Sequence, residues 1–236
     1  MHIIAMIPAR MGSQRLPKKN LALLNGVPLI VHAIRKCKAA GVFDAIWVNS
    51  EHPDFGPIAT AEGVQFHQRP AALGDNAATS EQFVGEFLAV HDCDVVVQVH
   101  SIAPLLTVAD LISFVAQVRT GDHDALLSVV EETLECLYQG RPVNFSFAEK
   151  TNSQDLTPVQ RIVWAVTAWR RATFLAAATA GTCAGTCATY AGRVGYSPVS
   201  RMAGHVIKTQ EDLDIAAALH GILNISARGG PSRMIT

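Results

Sequence analysis

Net charge is almost absent from this chain: 19 Lys and Arg against 20 Asp and Glu leave −1 over 236 residues. Beyond one N-terminal loop the basic residues are dispersed. That pattern excludes the basic stripe by which a nucleic-acid binder tracks phosphates, and a small anionic ligand fits better. A disulfide framework is also missing, because the five cysteines (Cys37, Cys93, Cys136, Cys183 and Cys187) are odd in number and scattered. They suit a reducing cytoplasm. Cys183 and Cys187 lie four apart with no further Cys nearby, so they read as buried or loop thiols rather than zinc ligands. No membrane-spanning run exists either. Ala172 to Ala191 is uncharged and flanked by Arg170, Arg171 and Arg193, but Ala, Thr and Gly dominate it. With only Phe174 and Leu175 large and apolar before Tyr190, it predicts a surface helix ending near Gly181. No G-x-G-x-x-G follows the first strand, which argues against a dehydrogenase, and no internal repeat is visible. At this length residues 1–236 read as one α/β domain.

What is present begins at the N-terminus. Ile3 to Ile7 is a nearly continuous apolar run, the pattern of a strand buried on both faces of a parallel sheet. The segment that follows is polar and cationic: Arg10, Gly12, Ser13, Arg15, Lys18 and Lys19, with Pro8 and Pro17 fixing the backbone on either side. Gly12 permits close approach to a ligand, and its neighbours can present backbone N–H groups. Ligands of open α/β sheets bind at the carboxyl ends of strands, so position and chemistry agree on a triphosphate. From composition alone a solvated basic turn fits too.

Downstream, helix and strand patterns alternate. Pro28 opens a helix to about Ala40, ended by Gly41; Ala45 to Val48 is a strand, Pro57 to Glu62 a helix and Val64 to His67 a strand. This βαβαβ order calls for a parallel sheet. Thr79 or Ser80 caps a helix to about His91, Asp94 to His100 is a strand, Val108 to Thr120 a helix and Ala125 to Val130 a strand. From about 131 to 160 the pattern becomes irregular and polar, an excursion from the main sheet. Ile162 to Trp169 returns to the core as a strand, and Thr209 starts a last helix, with Glu211 and Asp212 in its first turn.

The N-terminal loop resembles the A-R-x-x-S-x-x-x-P-x-K signature of the cytidylyltransferases that activate acidic sugars, the CMP-N-acylneuraminate and CMP-Kdo synthetases. Ala9, Arg10, Ser13, Pro17, Lys19 and Asn20 fall on the matching positions. Gln14 stands where the sialic acid branch has lysine, and Arg15 matches the Kdo branch, so the loop is a hybrid. Arg69-Pro70-Ala71-Ala72-Leu73 is similar to the family's R-P-x-x-L stretch, followed by Ala78, Thr79 and Ser80. Gln154-Asp155-Leu156 with Pro158 resembles its Q-D-L-P segment.

The resemblance implies a three-layer α/β/α fold with a mostly parallel, Rossmann-like sheet of the nucleotide-diphospho-sugar transferase type. It implies CTP and a small acidic sugar as substrates, magnesium as cofactor, and a homodimer built on the excursion. Carried over, Arg10 and Lys19 are catalytic. Ala9, Arg10, Gly12, Ser13, Arg15, Lys19 and Asn20 hold the triphosphate, Arg69, Ala78 and Ser80 lie at the nucleotide, and His100 and Gln154 at the sugar. Charge neutralisation on the phosphates is the main catalytic need.

Three segments depart from the family. In Q-P-T-S-P-L-R, His100 replaces glutamine and Leu106 the arginine; a shifted alignment would use Gln98 instead. In N-G-A-I-Y, the Asn-Gly pair becomes Val163-Trp164, and Trp164 is expected in the core. In D-x-D-T-x-x-D-L both leading aspartates are lost, Lys208 replacing one. Magnesium ligands are therefore not identifiable, with Asp92, Asp94, Asp212 and Asp214 left as unranked candidates. Two other readings stay open: a relative that binds a nucleotide or partner without turnover, and a cytidylyltransferase with a non-standard acceptor.

Overall fold

The computed structural model describes residues 1–180 and 187–227. Its centre is β1 (Ile3–Pro8), whose residues Ile3 to Ile7 are at most 2% exposed. Alternate side chains leave opposite faces of a strand. Ile3, Ala5 and Ile7 accordingly enter one core and Ile4 and Met6 another. The apolar run thus has helices to bury against on both sides.

β1 pairs in parallel with β4 (Ala45–Ser50) and β6 (Val95–Val99), and β4 pairs in parallel with β5 (Gln65–Gln68) at one edge. β10 (Val159–Arg170) is antiparallel between β6 and β7 (Ala125–Glu132), and β11 (Val194–Pro198) closes the other edge parallel to β7. The seven-stranded order is β11-β7-β10-β6-β1-β4-β5. On one face pack α1 (Leu29–Ala40), α2 (Phe55–Ala61) and α4 (Val108–Thr120), through Ile34, Phe55 and Phe114. On the other pack α3 (Ser80–Val90) and α5 (Arg171–Ala180), through Phe87 and Phe174. The expected three-layer, mostly parallel fold is present.

Local chemistry sets the boundaries. Gly41, at φ 63°, closes α1 in the left-handed region that glycine tolerates. Thr79 caps α3 with Gln82 in a reciprocal capping box, so Ser80 is the first helical residue and not the cap. Thr107 and Asp110 do the same for α4. Between the loop and α1 the chain forms a short hairpin, β2 (Leu23–Leu24) and β3 (Val27–Pro28). The excursion carries a second hairpin, β8 (Leu137–Tyr138) and β9 (Arg141–Pro142). α5 is the expected surface helix, ending at Ala180 and fastened to the core through buried Phe174, and Gly181 falls outside the described residues. No helix among the described residues is long and apolar enough to cross a membrane.

The largest departure from expectation lies in β10. Its register against β7 jumps between Ile162, opposite Val129, and Thr167, opposite Leu127. Five steps on one strand face two on the other, which is a bulge. Ser128, fully buried, holds it: the hydroxyl donates to the Val163 carbonyl and accepts the Val166 N–H at 3.2 Å. The bulge turns Trp164 out of the core. It is half-buried in the wall of a cavity, which corrects the expectation of core packing.

Candidate active site

The loop after β1 crosses the carboxyl end of the sheet and is held by its neighbours there. The Ala9 N–H donates to Asn49 O at 2.9 Å, and the Met11 N–H donates to Glu51 Oε1 at 2.8 Å. Asn20 grips the loop from its far end. Its Nδ2 donates to Arg10 O at 2.9 Å, while its Oδ1 accepts from Ser101 Oγ at 2.7 Å. Asn20 and Ser101 are buried, so these bonds are shielded from water.

Beneath the loop lies an open cavity of about 210 Å³. Of the residues expected at the site, Ala9, Arg10, Ser13, Lys19, Asn20, Arg69 and His100 line it. Gly12 and Arg15 share the loop without lining the cavity; a side chain at Gly12 would meet nothing within 4 Å, so the space around it is open. Ala78 and Ser80 flank the start of α3, half-buried and outside the lining. Gln154 sits exposed on the 3-10 turn Ser153–Asp155 of the excursion, also apart from it.

Arg69 is 3% exposed. One guanidinium nitrogen pairs with Glu51 Oε2 at 3.0 Å, another meets Asn49 Oδ1 at 3.3 Å, and Phe83 stacks 4.7 Å from its Cζ. Its Nε is buried without a partner. Arg69 therefore braces the ends of β1 and β4 while keeping one donor in reserve. Glu51 and Phe83 were not foreseen as site residues. The signal for Phe83 was only its place on the inward face of α3.

Lys19 has its proton affinity lowered, first by partial burial and then by Arg15 and Arg10. Asp212 opposes the effect and Lys208 adds to it. Crowded like charges of this kind favour a polyanion. His100 is half-buried, with its Nε2 enclosed and unpartnered, and desolvation followed by Lys19 pushes its pKa down to about 4. It is a neutral imidazole at neutral pH. Gln98, the alternative to His100, is buried in β6 opposite Thr167 and does not reach the cavity.

A second cavity, of about 290 Å³, is bounded by Arg161, Trp164, His205, Lys208 and Asp212. The Ile207 N–H donates to Ile102 O at 2.8 Å, and Ile102 belongs to the first cavity's wall, so the two spaces adjoin. Leu106, where the resembled family has arginine, is buried in the core and faces neither.

Of the four acidic candidates for a metal, Asp94 precedes β6 at the opposite end of the sheet and accepts the His2 N–H at 2.6 Å. Asp92, two residues earlier, lies with it. Asp214 accepts from Gln210 at 2.8 Å, leaving Asp212 as the one that acts on Lys19. Asp212 Oδ2 already accepts the Lys208 and Thr209 N–H groups, each at 2.8 Å, and the Thr209 hydroxyl at 3.0 Å. Glu51 has both oxygens bonded. No group of three or more His, Cys, Asp or Glu among the described residues could hold a metal ion. All bonds to the Asp212 carboxylate fall on Oδ2, so Oδ1 is the carboxylate oxygen left to meet a magnesium ion that is otherwise held by phosphates and water, and the expectation of magnesium rests on resemblance alone. Cys183 lies outside the described residues, and Cys187 is a free thiol.

The chain matches the cytidylyltransferase family over residues 4–191. Similar proteins include N-acylneuraminate cytidylyltransferase A of Danio rerio, 33% identical over 130 residues, which are 55% of this chain and 30% of that protein. Another is 3-deoxy-manno-octulosonate cytidylyltransferase of Bradyrhizobium diazoefficiens, 24% identical over 143 residues, 55% of this chain and 58% of that one. The chain thus spans less than two thirds of either relative. Among solved structures, a CMP:2-keto-3-deoxy-manno-octonic acid synthetase complexed with CTP has a TM-score of 0.66 at 15% identity, covering 94% of this chain and all of that one. A 4-diphosphocytidyl-2C-methyl-D-erythritol synthase from Anaerococcus prevotii DSM 20548 has the same TM-score and identity, covering 93% and 98%. At such identity these two speak for the fold.

Proposed function

The chain belongs to the cytidylyltransferase family, and on that premise we propose that it transfers CMP from CTP to an acidic sugar, a 2-keto-3-deoxy sugar acid of the acylneuraminate kind, releasing pyrophosphate. The observation that carries this reading is the convergence of Ala9, Arg10, Ser13, Lys19, Asn20, Arg69 and His100 on one cavity at the carboxyl end of β1.

In the reaction, the acceptor's anomeric oxygen forms a bond to the α-phosphorus as the bond to the β-phosphate oxygen breaks. Pyrophosphate leaves with the electron pair, and the hydroxyl proton passes to solvent. Charge gathers on the leaving group. Arg10 can pair with it through two N–H bonds and Lys19 as a compact charge, both pre-set by the loop. Asn20 and Glu51 are positioning residues: they hold the backbone from which Arg10 projects. Arg69 Nε offers a donor toward the nucleotide, with Phe83 beside it, and His100 offers a polar atom without a charge.

The exposed apolar side chains of the excursion, Leu137, Tyr138, Val143 and Phe147, support a homodimer in which a second copy covers them. The free thiols Cys37, Cys93, Cys136 and Cys187 support a cytoplasmic location.

Incubation with CTP, magnesium and a panel of 2-keto-3-deoxy sugar acids should release pyrophosphate with at least one of them. Leu106 favours a second reading, because a buried leucine cannot hold a sugar carboxylate. CTP binding without pyrophosphate across the panel would establish that reading, an acceptor of another kind or binding without turnover.

A further inference from the structure

We propose that the second cavity receives the acceptor and that Lys208 is the residue that selects an acidic one, pairing with the sugar carboxylate that the buried Leu106 cannot hold. The inference rests on the cytidylyltransferase reading above and gives its acceptor side a residue.

Each wall of this cavity is fixed by the fold. On one side the bulge of β10 presents Trp164 and is held by Ser128. The turn Arg201–Gly204 closes against it: a Cβ on Gly204 would lie 2.9 Å from both Arg161 Nη2 and Val130 Cγ2, so glycine is what lets the turn pack this closely. On the other side Ile207 is fully buried, its N–H bonded to Ile102 at the nucleotide cavity and its side chain clustered with Leu16 of the phosphate loop. Lys19, on the wall of the first cavity, feels the charges of Lys208 and Asp212 on the wall of the second.

Apart from His205, the ionisable side chains lining the cavity are Arg161, Lys208 and Asp212. Arg161 is already matched, pairing with Glu132 Oε1 at 3.0 Å. Asp212 turns Oδ2 to the backbone N–H groups of Lys208 and Thr209, and no ion pair within 4 Å joins it to the Lys208 ammonium. Lys208 is thus the cation of this wall with no carboxylate partner among the described residues. His205 Nε2 donates to the Asp212 carbonyl at 2.7 Å, which leaves Nδ1 of the neutral ring as an acceptor for a hydroxyl. An ammonium, a hydroxyl acceptor and an indole suit a polyhydroxylated acid, whose carboxylate, hydroxyls and ring each find a partner.

The test is calorimetric titration of 2-keto-3-deoxy-manno-octonic acid, of an N-acylneuraminate and of their carboxamides, each with and without CMP, into the wild type, Lys208→Gln and Lys208→Arg. The wild type should bind at least one acid about tenfold more tightly than its carboxamide, a margin that narrows as salt rises. Lys208→Gln should lose that margin and Lys208→Arg should keep it, both with an unchanged melting temperature, because the backbone bond to Asp212 remains in each. CTP, titrated separately, should lose less than about threefold in affinity in Lys208→Gln, since only a charge in the neighbouring cavity is removed. A wild type that binds neither acid or does not prefer acid to carboxamide, or a Lys208→Gln variant that keeps the preference or weakens CTP as much as the acid, overturns the inference. A Lys208-dependent preference for the acid in a protein that neither binds CTP nor releases pyrophosphate overturns instead the function on which it rests.

Discussion

The guanidinium of Arg69 and the carboxylate of Glu51 meet at 3.0 Å, with side chains only 2% and 12% exposed. Glu51 spends its other oxygen on the Met11 N–H, so a single carboxylate joins the buried arginine to the backbone of the phosphate loop. Neither partner is replaceable alone.

Glu51→Ala leaves Arg69 as an uncompensated buried charge and should cost about 3 kcal/mol in chemical denaturation, near the low end for breaking a buried pair. Adding Arg69→Met should recover more than half of that loss, since the buried charge is then gone. CTP binding should be weakened in both variants, because each removes the tie between Arg69 and the Met11 backbone. A double variant as unstable as Glu51→Ala would show that the pair is not what the single change breaks.

Asn20 connects Arg10 O to Ser101 Oγ with two buried bonds. Asn20→Ala should destabilise the protein by about 2 kcal/mol and weaken CTP about tenfold, because Arg10 loses its fixed backbone. Asn20→Asp keeps the acceptor for Ser101 but turns a carboxylate oxygen toward Arg10 O and the triphosphate. It should weaken CTP more than alanine does. Equal affinity of the two variants for CTP would refute a positioning role.

His100 gives a signed pH dependence. Its folded pKa of about 4 lies below the ordinary histidine value of 6.5, so the unfolded chain takes up the proton first as pH falls. The stability from keeping His100 neutral is complete above pH 6.5 and is lost as pH drops toward 4, amounting to roughly 3 kcal/mol. His32, His91 and His220 are lowered too and act in the same direction. The comparison with His100→Gln isolates its share. Melting curves between pH 7 and 4 should fall less steeply for that variant.

Elements with a strong local code were readable in the sequence. α4 runs from Val108 to Thr120 as its apolar spacing predicts, because Thr107 and Asp110 form their capping box from neighbouring residues. The loop from Ala9 to Asn20 was readable for the same reason, its cations and Gly12 lying in one short stretch. Glu51 was not, since its task exists only once β4 lies beside β1 and brings the strand ends together. Ser101 escaped likewise: its partner Asn20 is 81 residues away. Trp164 was expected in the core because a tryptophan buries a large apolar area, and the bulge that instead turns it to a cavity wall depends on Ser128 of a different strand.

The bulge also makes Trp164 testable. A core tryptophan replaced by alanine costs roughly 3–5 kcal/mol, through lost burial and the cavity left behind. Trp164 is half-buried against an existing cavity, so Trp164→Ala should cost only about 1 kcal/mol. Its effect belongs with the acceptor: the sugar's KM should rise several-fold while the KM for CTP stays constant, and Trp164→Phe should restore it. Ser128 touches neither cavity, yet its hydroxyl holds the bulge that presents Trp164. Ser128→Ala should therefore raise the sugar's KM as well, with a stability loss of about 2 kcal/mol from the buried Val163 and Val166 groups left unpaired. A Ser128→Ala enzyme with that stability loss but an unchanged sugar KM would separate the bulge from acceptor binding, and Trp164 would then be a surface residue only.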